Sequence, residues 1–136
     1  MSDKFFFSVR VYYEDTDAGG VVYNANYVKF LERARTEWLR ARGVKQSELL
    51  EKGFGFVVAS MQVDFRRSAK LDDLLLVSST IKEVKSASAV FAQEITDEEG
   101  NVYIRAVTKI ACVDVNRKRP SVIPQDIKEV FLSECD

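Results

Sequence analysis

The sequence contains no histidine, and that absence excludes more chemistry than any single residue present suggests. Without imidazole there is no Ser-His-Asp or Cys-His catalysis. Two isolated cysteines, Cys112 and Cys135, do not supply a tetrahedral ligand set, so the usual zinc sites are excluded too. Nor do they form a disulfide framework, which suits a reducing compartment. Only two prolines and six glycines punctuate the 136 residues. No repeat, low-complexity tract or linker divides them, so one domain over 1–136 is expected, large enough to bury a core without staples. No apolar run approaches the roughly 18 residues of a spanning helix. The Phe5-Phe6-Phe7 run behind Met1-Ser2-Asp3-Lys4 is too short for a secretory signal, and a cytoplasmic protein is expected. Charge of one sign is lacking as well: 20 basic residues face 21 acidic ones, net −1, so no field draws the chain to nucleic acid or an anionic membrane. Acid–base chemistry falls to carboxylates, lysine, tyrosine or bound water.

What is present reads as strand, long helix, then strands. Phe5 to Tyr12 is aromatic and β-branched and reads as a first strand. Tyr27, Phe30, Leu31, Ala34, Trp38 and Ala41 then recur at i, i+3, i+4 spacing, opposite Lys29, Glu32, Arg33, Thr36, Glu37 and Arg40. This predicts an amphipathic helix of about 17 residues and about 25 Å, long enough to cross a sheet. Asn24 or Asn26 can cap its start, Gly43 stops it, and Arg33 and Glu37 are spaced to pair. A short helix is expected over Ser47 to Lys52. The period then changes to two: Ala59, Met61, Val63 and Phe65 alternate with Ser60, Gln62, Asp64 and Arg66, a strand with one buried face. Further strands are expected at Leu74 to Val84, Val90 to Thr96 and Val102 to Val115, and a short helix over Gln125 to Leu132. Short connections imply antiparallel hairpins. The fold class is α+β: a curled antiparallel sheet of about five strands around one long central helix. Its edge strands invite pairing with a second subunit.

The polar chemistry concentrates between the first strand and the long helix, in Tyr12-Tyr13-Glu14-Asp15-Thr16-Asp17-Ala18-Gly19-Gly20-Val21-Val22-Tyr23-Asn24-Ala25-Asn26-Tyr27. A helix N-terminus offers unpaired N–H groups and partial positive charge, which can hold a carbonyl and stabilise an oxyanion developing on it. A carboxylate on the preceding loop can attack that carbonyl or activate water. Acyl transfer without histidine is therefore within reach of one short segment. The same residues also read as ordinary turn and cap chemistry.

The run Tyr13 to Tyr23, followed by Ala25-Asn26-Tyr27 and Phe30-Leu31-Glu32-Arg33-Ala34-Arg35, resembles the signature of the YbgC-like acyl-CoA thioesterases of the 4-hydroxybenzoyl-CoA thioesterase superfamily. Val63-Asp64-Phe65-Arg66-Arg67-Ser68-Ala69-Lys70-Leu71-Asp72-Asp73 is similar to a later strand-and-turn segment of that family. The resemblance covers nearly the whole chain. It implies a hotdog fold, a cytoplasmic location, hydrolysis of acyl-CoA thioesters without an added cofactor, and active sites at the subunit interface of a homodimer or homotetramer, with acyl carrier protein as a further partner. It places the catalytic aspartate on Asp17 and the carbonyl-polarising N–H at Tyr23 and Asn24, with Gly20, Val21, Val22 and Tyr27 at the substrate. Many members carry histidine where this chain has Asn24, and asparagine exchanges no proton near neutral pH. Three readings stay open at this point: Asp17 suffices with the backbone, activity is reduced, or Asn24 is an engineered substitution. A non-catalytic hotdog module binding acyl-CoA or acyl carrier protein is the alternative. A dehydratase on this fold is disfavoured because such enzymes usually rely on histidine.

Other motifs carry less. Arg66, Arg67 and Lys70 read equally as contacts to coenzyme A phosphates and as a solvated turn. Arg117-Lys118-Arg119 reads as a surface turn. Asp15-x-Asp17-x-Gly19-Gly20 is not a calcium loop, since glycine replaces the third ligand and Asn26 the terminal glutamate, so no metal is expected. Gly53-Phe54-Gly55 lacks the third glycine of a dinucleotide fingerprint. Cys112 reads as a buried small hydrophobe, and Tyr27, Phe30 and Trp38 chiefly as core.

Overall fold

A computed structural model describes residues 5–135; the first residues of the run weighed as a signal, Met1 to Lys4, lie outside them. The elements in chain order are β1 (Phe5–Arg10), a 3-10 turn (Tyr13–Asp15), α1 (Asn24–Ala41), α2 (Gln46–Glu51), β2 (Phe54–Phe65), β3 (Leu74–Val84), β4 (Ser88–Thr96), β5 (Val102–Asp114), β6 (Arg119–Pro120) and α3 (Gln125–Glu134). The strands pair antiparallel in the order β1-β3-β4-β5-β2, with the two-residue β6 beside β5. The expected α+β architecture is thus present, with one more, very short, strand.

Burial explains the assembly. The helix stripe Tyr27, Phe30, Leu31, Ala34 and Trp38 is buried. It meets alternate residues of the strands, such as Val77 and Ile81 on β3, Phe91 and Ile95 on β4, and Ile104 and Ile110 on β5. Each large aromatic removes about 150–250 Å² from water, on the order of 4–6 kcal/mol before conformational entropy is charged against it. The apolar residues form two clusters, one around Tyr27, Phe30 and Leu31, the other around Trp38, Phe91 and Phe131. Trp38 stacks on Phe131 at 5.8 Å and meets Phe91 edge-on at 5.2 Å, so α3 closes the second cluster.

A polar layer separates the clusters. Arg35 is buried on α1, and its Nη1 donates to Gln93 Oε1 at 3.1 Å. Gln93 Nε2 in turn donates to Leu31 O at 3.1 Å and to Ser79 Oγ at 3.0 Å. Burial lowers the pKa of Arg35, against the opposing charge of Glu32 one turn earlier. Cys112 is buried as expected, and burial pushes its thiol pKa up.

Several local expectations are corrected. β2 begins at Phe54 and carries a register shift between Val58 and Ser60. It is an edge strand paired only with β5, so Met61 and Val63 are half-buried while Ala59 and Phe65 are exposed. Ala41 is exposed, Arg35 being the buried member of the stripe's later half. Glu37 pairs with Arg40 at 3.0 Å, not with Arg33. The N-cap of α1 is Tyr23, without a side-chain bond; Asn24 is already helical, and Asn26 turns its amide elsewhere. Gly43, at φ +82°, does follow the helix end as expected. No helix of the described residues is long and apolar enough to cross a membrane.

Candidate active site

The loop between β1 and α1 folds back on itself as a small ladder. Tyr23 N–H donates to Asp15 O at 2.9 Å, Thr16 pairs antiparallel with Val22, and Asp17 N–H donates to Val21 O at 2.9 Å. Gly20 N–H closes the tip onto Asp17 O at 3.0 Å, with Gly20 at φ +80°, a conformation a Cβ would strain. Asp17 therefore lies across the ladder from Val21, two residues, about 7 Å of extended chain, before the N-cap Tyr23 of α1.

Asp17 is exposed, and its Oδ1 accepts Gly19 N–H at 2.8 Å. It takes part in no ion pair among the described residues. Around it lies a recess of about 570 Å³ lined by Tyr13, Thr16, Ala18, Gly20 and Leu71. The carboxylate is thus oriented by one backbone donor and open to a ligand.

The helix start differs from expectation in one respect. Tyr23 N–H is engaged by Asp15 O, so it is not a free donor; this corrects the expectation that Tyr23 polarises a carbonyl through its N–H. Asn26 N–H donates to Tyr23 O at 2.8 Å. Asn24 and Ala25 N–H have no protein acceptor among the described residues, as the first turn of a helix dictates.

The segment 66–70 forms the other wall. Val21 bridges to Lys70, Val22 N–H donates to Ala69 O at 2.8 Å, and Ala69 N–H donates to the Tyr27 hydroxyl at 2.9 Å. Lys70 is exposed beside the loop. Arg66 and Arg67, also exposed, anchor their N–H groups on Tyr103 O of β5. Val22 and Tyr27, expected at the substrate, are 2% exposed and belong to the core. Asp17, Gly20, Val21 and Lys70 are brought together, with Asn24 at the adjoining helix start.

Two features escaped sequence reasoning. One is Asp15, the buried carboxylate that ties this loop together. The other is a cleft of about 340 Å³ between α1 and β2, lined by Val28, Glu32 and Arg35 on one side and Phe56, Val58 and Met61 on the other. Val28, on its lining, lies one helical turn beyond Asn24. Only the full apolar run Phe54 to Val58 could have signalled it, and periodicity there is absent.

A curled antiparallel sheet packed against one long central helix defines a hotdog domain. The chain belongs to the Thioesterase-like superfamily, whose profile matches residues 11–131. It is 46% identical over 132 residues, 96% of each chain, to Acyl-CoA thioesterase YbgC of Haemophilus influenzae. It is 43% identical over 127 residues, 93% of this chain and 95% of the other, to Acyl-CoA thioester hydrolase YbgC of Escherichia coli. Among solved structures, a 1,4-dihydroxy-2-naphthoyl-CoA thioesterase from Synechocystis matches with a TM-score of 0.88 at 25% identity, covering 96% of both chains.

Proposed function

We propose that this chain is an acyl-CoA thioesterase, releasing free acid and CoA, with Asp17 as nucleophile or general base. The observation that carries the reading is the ladder joining Asp17 to a helix start whose Asn24 and Ala25 N–H groups have no protein acceptor. A thioester oxygen held there gains charge as the carbonyl is attacked, and the N–H groups and helix dipole stabilise it. In the nucleophilic route the Asp17 carboxylate bonds to the carbonyl carbon, the C–S bond breaks, CoA leaves as thiolate, and water hydrolyses the acyl-aspartyl anhydride. In the general-base route Asp17 takes a proton from water, the resulting hydroxide adds to the carbonyl, and the proton passes to the departing sulfur. Neither route needs an imidazole.

Lys70, with Arg66 and Arg67 on the same connection, suits the phosphates of CoA. The cleft lined in part by Val28, one turn past Asn24, suits the acyl group. The exposed, singly paired edge of β2, with Val57 and Val58 about half exposed, suits a second copy in a homodimer or homotetramer. Acyl carrier protein would be a second acyl donor, and the cytoplasm the setting.

The test is release of free thiol from a panel of short, long and aromatic acyl-CoAs. Asp17→Asn is expected to lower kcat about 10³-fold while keeping the wild-type melting temperature. Wild-type turnover by that variant removes Asp17 from its role. Acyl-CoA binding without any thiol release by the wild type makes the domain a binding module instead.

A further inference from the structure

We infer that Asp15 is the positioning residue of this site, acting through its hydrogen bonds and not through its charge. The inference rests on the reading of Asp17 and the α1 start given above. Asp15 is 6% exposed, yet it has no ion-pair partner among the described residues. Every donor it meets is neutral. Oδ2 accepts Tyr12 N–H at 2.8 Å, Oδ1 accepts Asn26 Nδ2–H at 2.9 Å, and its carbonyl accepts Tyr23 N–H at 2.9 Å. A buried carboxylate satisfied in this way is a geometric clamp: Tyr12 precedes the loop, Asn26 is in the first turn of α1, and Asp15 holds both.

Two consequences follow for the chemistry. Engaging Tyr23 N–H selects Asn24 and Ala25 as the donors left for a ligand. Tying Asn26 to the loop fixes the helix axis relative to the hairpin that carries Asp17, and a displacement of about 1 Å in such an arrangement costs on the order of 10²-fold in rate. The charge itself is not what the geometry calls for, since a negative group beside the helix start opposes an oxyanion forming there.

The substitutions separate bond from charge. In Asp15→Asn the new amide oxygen accepts Tyr12 N–H, and the new Nδ2 faces Asn26, whose amide turns over to present its oxygen. Both side-chain bonds remain and the charge is gone. Asp15→Ala removes both bonds, and Asn26→Ala removes one. With thiol release as the assay and thermal melting as the check on folding, Asp15→Ala is expected to lower kcat about 10–100-fold and Asn26→Ala about 10-fold, each with KM within about threefold of wild type. Asp15→Asn is expected to stay within about threefold of wild-type kcat. A folded Asp15→Asn as inactive as Asp15→Ala overturns the inference, because the charge would then matter. So does a folded Asp15→Ala with wild-type kcat. If Asp15→Ala does not fold, Asn26→Ala and Asp15→Asn decide alone, wild-type kcat in the first or collapse in the second overturning it. Asp17→Asn measured alongside keeps the two readings apart: its retention of activity sinks the assignment of Asp17, whereas its loss together with an active Asp15→Ala sinks only the clamp.

Discussion

Removing a single oxygen atom, in Tyr27→Phe, tests how the wall beside Asp17 is held. The Tyr27 ring is core, edge-on to Phe30 with centroids 6.2 Å apart, and phenylalanine fills the same space. What disappears is the acceptor for Ala69 N–H, a bond of 2.9 Å in a fully buried residue. An amide left buried without an acceptor costs about 1–3 kcal/mol. For a domain of this size each kcal/mol moves Tm by roughly 3–5 °C, so a loss of about 3–15 °C is expected at fixed protein concentration. Ala69 also accepts Val22 N–H, and Lys70 next to it bridges to Val21. A loosened 66–70 segment therefore loosens the ladder carrying Asp17, and kcat should fall a few-fold with KM little changed. Were Tyr27 instead a substrate contact, stability would be unchanged and KM would rise; that pairing of results refutes the argument.

The alkaline side gives an independent check. Burial first, and the charge of Asp73 after it, raise the Tyr27 pKa against the opposing backbone bond of Ala69. The unfolded chain loses this proton near pH 10, the folded chain only above that. The group's contribution to stability is thus complete below about pH 10 and disappears as pH rises through the folded value. The stability gap between wild type and Tyr27→Phe should therefore narrow above about pH 10, read as urea midpoints across the range.

Gln93→Leu takes away the acceptor of buried Arg35 and the donor to Leu31 O and Ser79; urea unfolding should show a loss of about 2–4 kcal/mol, and the part due to the stranded Arg35 charge should be recovered in Gln93→Leu/Arg35→Met, where only Ser79 Oγ and Leu31 O still lack the Gln93 donor. Asp97 accepts from Asn101 Nδ2, from the N–H groups of Glu99 and Asn101, and from the Tyr103 hydroxyl, and these bonds, the Asn101 side chain foremost, hold its pKa below the usual value. The stability it contributes is present above about pH 4 and lost as pH falls through the lowered value, so Asp97→Asn should flatten the acid limb of the urea midpoint below about pH 4.

How much of this was legible in the sequence depends on the range of the force involved. β3 came out as Leu74 to Val84 and the central helix within a residue or two, because alternation and the i, i+3, i+4 stripe are local consequences of what a sheet and a helix bury. Phe54 to Val58 has no alternation, so the start of β2 was hidden, and with it the cleft. Arg35 was hidden because an arginine in a helix is ordinarily outward; it is buried only because Gln93, 58 positions later, meets it. Asp15 and Asp17 look alike in sequence. What divides them is the burial of Asp15 and its bonds to Tyr12, Asn26 and Tyr23, the last two made across the fold of the loop.

The first turn of α1 shows why the missing imidazole need not remove the chemistry. A helix opens with about four N–H groups lacking helical partners. Here Tyr23 N–H goes to Asp15 O and Asn26 N–H folds back to Tyr23 O, leaving those of Asn24 and Ala25. The donor at position 24 is main chain, so it is the same whether the side chain is asparagine or histidine. What a histidine there would add is proton exchange, and in the proposed mechanism that work falls to Asp17, whose carboxylate is exposed and accepts a single backbone N–H.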